Sequence, residues 1–543
     1  MWVVEVPKFE SAKAQIKEEN MKSIKKVAAL VMAAVISVTA FAGCGGEDRS
    51  ASSDTLNFGC FNYSDSLDPS VMVNAAWATS RYGIGECLFR FDDEMNAQPL
   101  LCDEYEVDDT NTIWQFHIRD GIKFSNGNEV NASSVVASIE RMYEEEANGD
   151  GSSTPSVYME YESITADDES NTVTIVTTQP YADLCAVLAH PFFVILDTAA
   201  GTDYNENPIG TGPYAIDSYE VGTSIAMVAN EYYWNGEVPY ENLNIIFIGD
   251  STTKAMAIEN GDVDLVENIT TPSDLDRLRN DSSYHVSEAT GVRCAFSYMN
   301  QNGVLANDTL RQAILMALDD DTMCETTVGG MYTAGYSVLP STLDYGYENL
   351  TDATPYDVEG AKKLLDDAGI VDSDGDGYRE LNGETIDLNY LTYDGRNLAD
   401  FTEAVVSYLK EIGIKATIHT TDADTEWNML VSGEYDLLAN NWLTVPVGDP
   451  YAYMDNWYSK SSANYCGYAN EEYDAIYEQL KTETDENTRR EMFQQLQQIL
   501  IDDSAVLVHG YYHSTMISNE NVIGAEIPTA DYYWITTDIK PAS

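Results

Sequence analysis

Polar and apolar positions alternate between residues 112 and 119. Trp114, Phe116 and Ile118 fall on one side and Gln115, His117 and Arg119 on the other, the two-residue period of a half-buried strand. Asn131 then stands as a helix cap, with Val135, Val136, Ile139, Met142 and Tyr143 at helical spacing behind it. Residues 148–153 (NGDGSS) read as a surface turn, and residues 171–178 alternate again as a strand. From about residue 355 the rhythm becomes helix, glycine, strand, repeated. Ala361, Leu364, Leu365 and Ala368 share a helix face that Gly369 can end. Ile386, Leu388 and Tyr390 alternate; a helix around 405–412 stops at Gly413 before Ile414, Ala416 and Ile418. A helix near 427–431 stops at Gly433 before Leu437, Leu438 and Ala439, helices fill about 471–502, and residues 505–508 return as a strand. This alternation predicts an α/β fold with largely parallel sheets. In such sheets ligands bind beyond the carboxyl ends of strands, where the topology switches; residues 439–444 (ANNWLT) sit at such an end.

The amino-terminal pattern speaks to compartment. Lys22, Lys25 and Lys26 precede an apolar run from Val27 to Phe41, short of the ~20 residues that span a bilayer. Small residues then lead to Cys44, the layout of a secretory signal. Phe41-Ala42-Gly43-Cys44 resembles a bacterial lipobox, in which Cys44 becomes the lipidated first residue. Residues 1–20 precede a complete signal and are read as an upstream extension, with translation expected to start at Met21. Residues 44–53 are small and polar, a tether between lipid and fold. The expected place is the extracytoplasmic face of the cell membrane, held by lipid.

Composition sharpens this. Asp and Glu number 91 against 28 Lys and Arg, a formal charge of −63 over 543 residues. Such a surface repels phosphate backbones and argues against a nucleic-acid partner. It favours a cationic solute only if the acidic excess extends into the binding cleft. Without Cys44 an odd number of widely spaced cysteines remains: Cys60, Cys87, Cys102, Cys185, Cys294, Cys324 and Cys466. They form no disulfide framework and no CxxC pair, and are expected as small buried hydrophobes, with a single bridge such as Cys87–Cys102 left open.

Motifs for catalysis are scarce. There is no HExxH, GxSxG or Walker A sequence. Gly210-Thr211-Gly212 resembles the start of a dinucleotide loop, but Pro213 and the following strand pattern make a tight turn the better reading. His509 and His513 have chelating spacing only on a helix; on a strand they stand about 13 Å apart, too far for one ion. Asp372, Asp374 and Asp376 follow the first half of a calcium loop, but the twelfth position is Gly383 where a glutamate is expected. Structural calcium there competes with an Asp/Gly-rich turn bonding its own backbone. No other cofactor is expected.

Taken together, the motifs resemble family 5 of the extracellular solute-binding proteins of ABC importers, the group with oligopeptide-, dipeptide- and nickel-binding members. The resemblance runs over nearly all of residues 54–520. It is carried in order by SLDP (66–69), FHIRDGIKFSNG (116–127), the helix 130–141, NPIGTGPY (207–214), NEYYWNGEVP (230–239), AIENGDVD (257–264), LRQAILMALD (310–319), 356–369 and SGEYD (432–436). It implies a two-lobed periplasmic-binding-protein-like fold with a hinge and an extra inserted domain. Lobe I would combine 54–90, 206–290 and 505–543, the inserted domain 91–205, and lobe II 291–504, with crossovers near 293–300 and 505–512. It also implies a monomer that delivers a peptide or other small solute to permease subunits. Asn440, Asn441, Trp442, Leu443 and Thr444 would line the cleft, where a peptide pairs with the backbone. Peptide-binding relatives place an Asp three residues after the Trp to hold the ligand amine; here that residue is Val445, and Asp449 is the candidate replacement. Tyr63 and Tyr298 are further candidates for the cleft. The alternatives are a nickel or other metal chelate, another solute such as an oligosaccharide or opine, a secreted hydrolase, and a signal-sensing lipoprotein without a transporter.

Overall fold

The computed structural model describes residues 54–149, 152–393 and 395–542. The upstream extension, the signal, Cys44 and the tether to residue 53 lie outside them, as do two residues of the 148–153 turn. Residues 53–543 form one compact unit.

An eleven-stranded sheet runs through it. In chain order its main strands are β1 (Thr55–Cys60), β2 (Tyr214–Glu220), β3 (Ser224–Ala229), β4 (Asn242–Phe247), β5 (Leu265–Glu267), β6 (Tyr284–Met299), β7 (Asp387–Tyr393), β8 (Lys415–Thr421), β9 (Leu437–Leu443) and β10 (Val506–Asn519). Their spatial order is β8-β7-β9-β6-β10-β5-β1-β4-β3-β2, with Tyr332–Thr333 paired to β10 off this path.

The sheet is mixed, which corrects the expectation of largely parallel strands. Pairing is parallel where long crossovers join neighbours: β1 with β4 and β5, and β7 with β8 and β9. It is antiparallel through the middle, where β6 pairs with both β9 and β10 and β10 with β5, and in the β2-β3-β4 meander. The long strands β6 and β10 run side by side from one parallel cluster to the other. Their ladder breaks register twice, between Thr290 and Cys294 and between Ala295 and Phe296. Gly510 lies opposite the second break at φ +146°, and a Cβ there would come within 2.8 Å of the Thr333 carbonyl oxygen and 2.9 Å of Cys324 Sγ.

A separate four-stranded antiparallel sheet comprises Cys102–Val107, Ile113–Ile118, Thr172–Thr177 and Tyr161–Asp167 in that spatial order. Trp114, Phe116 and Ile118 are buried as their alternation predicts, against Val135, Ile139 and Met142 of the helix Ala132–Asn148. That helix begins with a capping box: Asn131 Oδ1 accepts from Ser134 N at 2.9 Å and Ser134 Oγ from Asn131 N at 3.0 Å. It ends at Gly149 in the left-handed region. The predicted helix ending before Gly369 spans Val358–Asp367 and buries Ala361 and Leu365, whereas Ala368, one residue past it, is exposed.

Gly210 and Gly212 serve packing. A Cβ on Gly212 would sit 2.3 Å from the Gly83 carbonyl oxygen, and one on Gly210 2.2 Å from that of Ile84. The seven described cysteines are free and buried, Cys87 and Cys102 included. Among the described residues no helix is long and apolar enough to cross a membrane.

Candidate functional site

β9 reaches the junction of the two parallel clusters with one edge partly open. On one side all seven of its residues register with β6. On the other, β7 pairs only with Leu437 and Leu438. Thr444 N donates to the Val292 carbonyl and Asn300 N to that of Asp436, so the even-numbered residues turn their backbone groups toward β6. Those of Ala439, Asn441 and Leu443 therefore face the open side, where Asn441 N is held by Asn440 Oδ1 at 2.7 Å.

Side chains divide the predicted set. Asn441 donates through Nδ2 to the Tyr332 hydroxyl at 3.1 Å, and its buried Oδ1 has no partner. Asn440 donates to Glu426 Oε1 at 3.2 Å; burial pushes that carboxyl up to about 7. Trp442 is half-buried. Thr444 is committed to structure, its hydroxyl donating to the Val292 carbonyl at 2.8 Å, and Leu443 and Val445 pack into the core beside the inserted sheet.

Two predicted positions lie elsewhere. Asp449 does not present a free carboxylate: Oδ2 accepts from Arg489 Nη2 at 2.7 Å and Nε at 3.0 Å, and Oδ1 from Tyr451 N at 2.7 Å. The cation that claims it comes from the helix Glu486–Asp502, over 35 residues downstream. Tyr298 is fully buried, its hydroxyl donating to Asn456 Oδ1 at 2.7 Å and its ring packed on Phe296. Its strand position turns it into the hydrophobic core.

Tyr63 does stand at the junction, and it leads to residues that the sequence patterns did not single out. The guanidinium of Arg81, at the end of the helix Val73–Arg81, lies 5.1 Å from the Tyr63 ring, 5.0 Å from Trp77 and 4.3 Å from Trp534. Arg293 of β6 approaches Trp77 from 5.2 Å. Asp531 binds both: Oδ2 accepts from Arg81 Nη2 at 2.7 Å and from Arg293 Nε at 3.3 Å, and Oδ1 from Trp534 Nε1 at 3.0 Å. Burial opposes ionisation of Asp531, but Arg81, with Arg293 and Arg396 behind it, outweighs burial and holds the carboxyl below its ordinary range.

Arg396 arrives from the loop after β7, over the Tyr512 ring at 5.8 Å. It and Asn397 adopt φ +48° and +57°, two consecutive non-glycine residues in the left-handed region, a strained arrangement of a kind found at ligand sites. Tyr332 donates to the Arg396 carbonyl at 2.6 Å, which links the loop to Asn441, and Asn397 Nδ2 donates across to the Thr270 carbonyl at 2.9 Å. Tyr63 is steadied by Glu267, which accepts from its hydroxyl at 3.3 Å and from Lys254 at 2.7 Å.

The remaining candidates for metal do not enter this junction. His509 is buried against Ser297 Oγ at 2.8 Å, and burial pushes it down to about 3; His513 bonds Thr333 Oγ1 at 2.7 Å. Asp372, Asp374 and Asp376 are exposed, with oxygens within 4.8 Å of one another. They also bond their own loop: Asp372 accepts from Gly375 N and Gly377 N, Asp374 from Asp376 N, and Asp376 from Tyr378 N.

Comparison with known proteins agrees with this architecture. The family described as bacterial extracellular solute-binding proteins, family 5 (middle), matches residues 96–465. The nickel-binding protein NikA of Staphylococcus aureus is 25% identical over 457 residues, covering 84% of this chain and 88% of that protein. The probable D,D-dipeptide-binding periplasmic protein DdpA of Escherichia coli is 24% identical over 479 residues, again covering 84% and 88%. The crystal structure of NikA from Brucella suis in complex with Fe(III)-EDTA shares the two-lobed fold, with a TM-score of 0.81 at 20% identity over 90% of this chain and 100% of that one.

Proposed function

Because the chain belongs to family 5 of the bacterial extracellular solute-binding proteins, we propose that it captures a short peptide or peptide-like solute between its lobes and delivers it to ABC permease subunits. The observation that carries this reading is the open edge of β9 beside the arginine cluster. An extended ligand can add along Ala439–Leu443 as a further strand, with Trp442 as a wall and Asn441 as a polar partner. At the end of that path Arg293 and Arg396 are placed to receive a carboxylate. The irregular stretch of the β6–β10 ladder serves as the hinge, and closure buries the solute for recognition by the permease. The role is capture without chemistry. The protein acts as a monomer, lipid-anchored at Cys44 on the outer face of the membrane, and needs no cofactor.

Native mass spectrometry of residues 45–543 tests the ligand class. Adducts that fragment as short peptides support the reading; a single sugar-like or metal-containing adduct overturns the peptide class. A Cys44→Ser variant should be released from the membrane fraction, and its retention there would remove the lipid anchor.

A further inference from the structure

The charge of the site is opposite to that of the molecule. A chain with a formal charge of −63 brings three guanidinium groups together at the junction of its lobes. Arg81 is 1% exposed and Arg293 4%. One carboxylate faces them among the described residues, that of Asp531, and all of its bonds are taken by Arg81, Arg293 and Trp534. The adjoining Lys254 and Glu267 pair with each other at 2.7 Å. The balance is an excess of two positive charges.

Donors remain to be satisfied. Arg81 Nη1, Arg293 Nη2, Arg396 Nε and Trp77 Nε1 are all buried without a hydrogen-bond partner. A buried guanidinium cannot shed its charge at neutral pH; even Arg293, lowered to about 10 by burial and by its neighbour Arg396, stays protonated. Uncompensated buried charge is strongly unfavourable, so the arrangement is complementary to an anion that arrives from outside. Planar guanidinium forks match carboxylates in geometry.

We propose that the transported solute carries two carboxylates, which together balance the excess of Arg81, Arg293 and Arg396 over Asp531. This rests on the reading that the junction holds the transported solute, and it narrows the solute class. Two sources share the chemistry: a peptide with an acidic side chain besides its terminal carboxylate, and a metal chelate presented through surplus carboxylates.

The test is calorimetric titration of residues 45–543, stripped by unfolding and refolding, with Ala-Glu, its isostere Ala-Gln, and nickel–EDTA at pH 7. Ala-Glu is expected to bind at least about tenfold tighter than Ala-Gln. Arg396→Gln should weaken both peptides but Ala-Glu by the larger factor, so that the preference narrows, whereas a merely structural role for Arg396 would weaken the two alike. Equal binding of the two peptides, or tighter binding of Ala-Gln, overturns the proposal. If neither peptide binds but nickel–EDTA does, and Arg396→Gln weakens it, the peptide reading falls and the dicarboxylate stands. If none of the three binds, while the refolded protein still melts cooperatively, the dicarboxylate falls too.

Discussion

Asp449 and Arg489 form a two-pronged ion pair, with one aspartate oxygen accepting from Nη2 at 2.7 Å and from Nε at 3.0 Å. Arg489 also donates to the Leu480 and Glu483 carbonyls, so the pair ties the loop after β9 to the start of a distant helix. Asp449→Asn should therefore act on stability. We expect a loss of about 1–2 kcal/mol in denaturant unfolding, with solute affinity unchanged. A selective loss of affinity for amine-bearing ligands would return Asp449 to the site.

Asn441 and Trp442 carry the opposite expectation. Trp442→Ala and Asn441→Ala should each weaken solute binding by about tenfold or more, measured by calorimetry. Trp442→Ala should cost little stability, because the ring is only half-buried.

Glu426 makes stability depend on pH. Burial raises its carboxyl to about 7, above the ordinary value of a glutamate in the unfolded chain. Between pH 4.5 and 7 the folded state thus holds a proton that the unfolded state has released. Its contribution to stability is full at low pH and is lost as pH rises through 7, a difference on the order of 3 kcal/mol. Glu426→Gln keeps the acceptor for Asn440 and should flatten that part of the stability profile, read from unfolding midpoints at pH 5 and pH 8. An unchanged slope would mean that Glu426 is ionised throughout.

Gly510 tests the irregular ladder. Alanine there meets both the unfavourable φ of +146° and the Thr333 carbonyl. Gly510→Ala should destabilise by about 1–3 kcal/mol and reduce the extra stabilisation conferred by solute. Wild-type values for both would show that the crossover tolerates a side chain.

The loop at 372–376 is expected to stand without an ion, because its aspartates already accept from backbone N–H groups. Thermal melts with calcium and with chelator should agree to within about a degree; a clear rise with calcium would install a structural ion.

Much of the framework was legible in the pattern. The alternation at Trp114, Phe116 and Ile118, the Asn131 cap and the helix-ending Gly433 depend on neighbours within a few residues, and local chemistry decides them. The same holds for the strand that carries Asn441 and Trp442, announced by the apolar Leu437, Leu438 and Ala439 after Gly433. Asp449 and Tyr298 went elsewhere for reasons local pattern does not carry: a cation more than 35 residues downstream claims one, and the opposite face of a strand buries the other.

By itself the sequence determined the family, the two-lobed α/β order of elements and the acidic surface, because these follow from motif order, periodicity and composition. Only the tertiary structure decided the mixed topology of the central sheet and the charge gathered at the junction of its two parallel clusters. Arg81, Arg293, Arg396 and Asp531 are scattered over about 450 residues and carry no spacing signal. Long strand crossovers bring them together, and the result is a cluster of charges opposite in sign to the molecule around it.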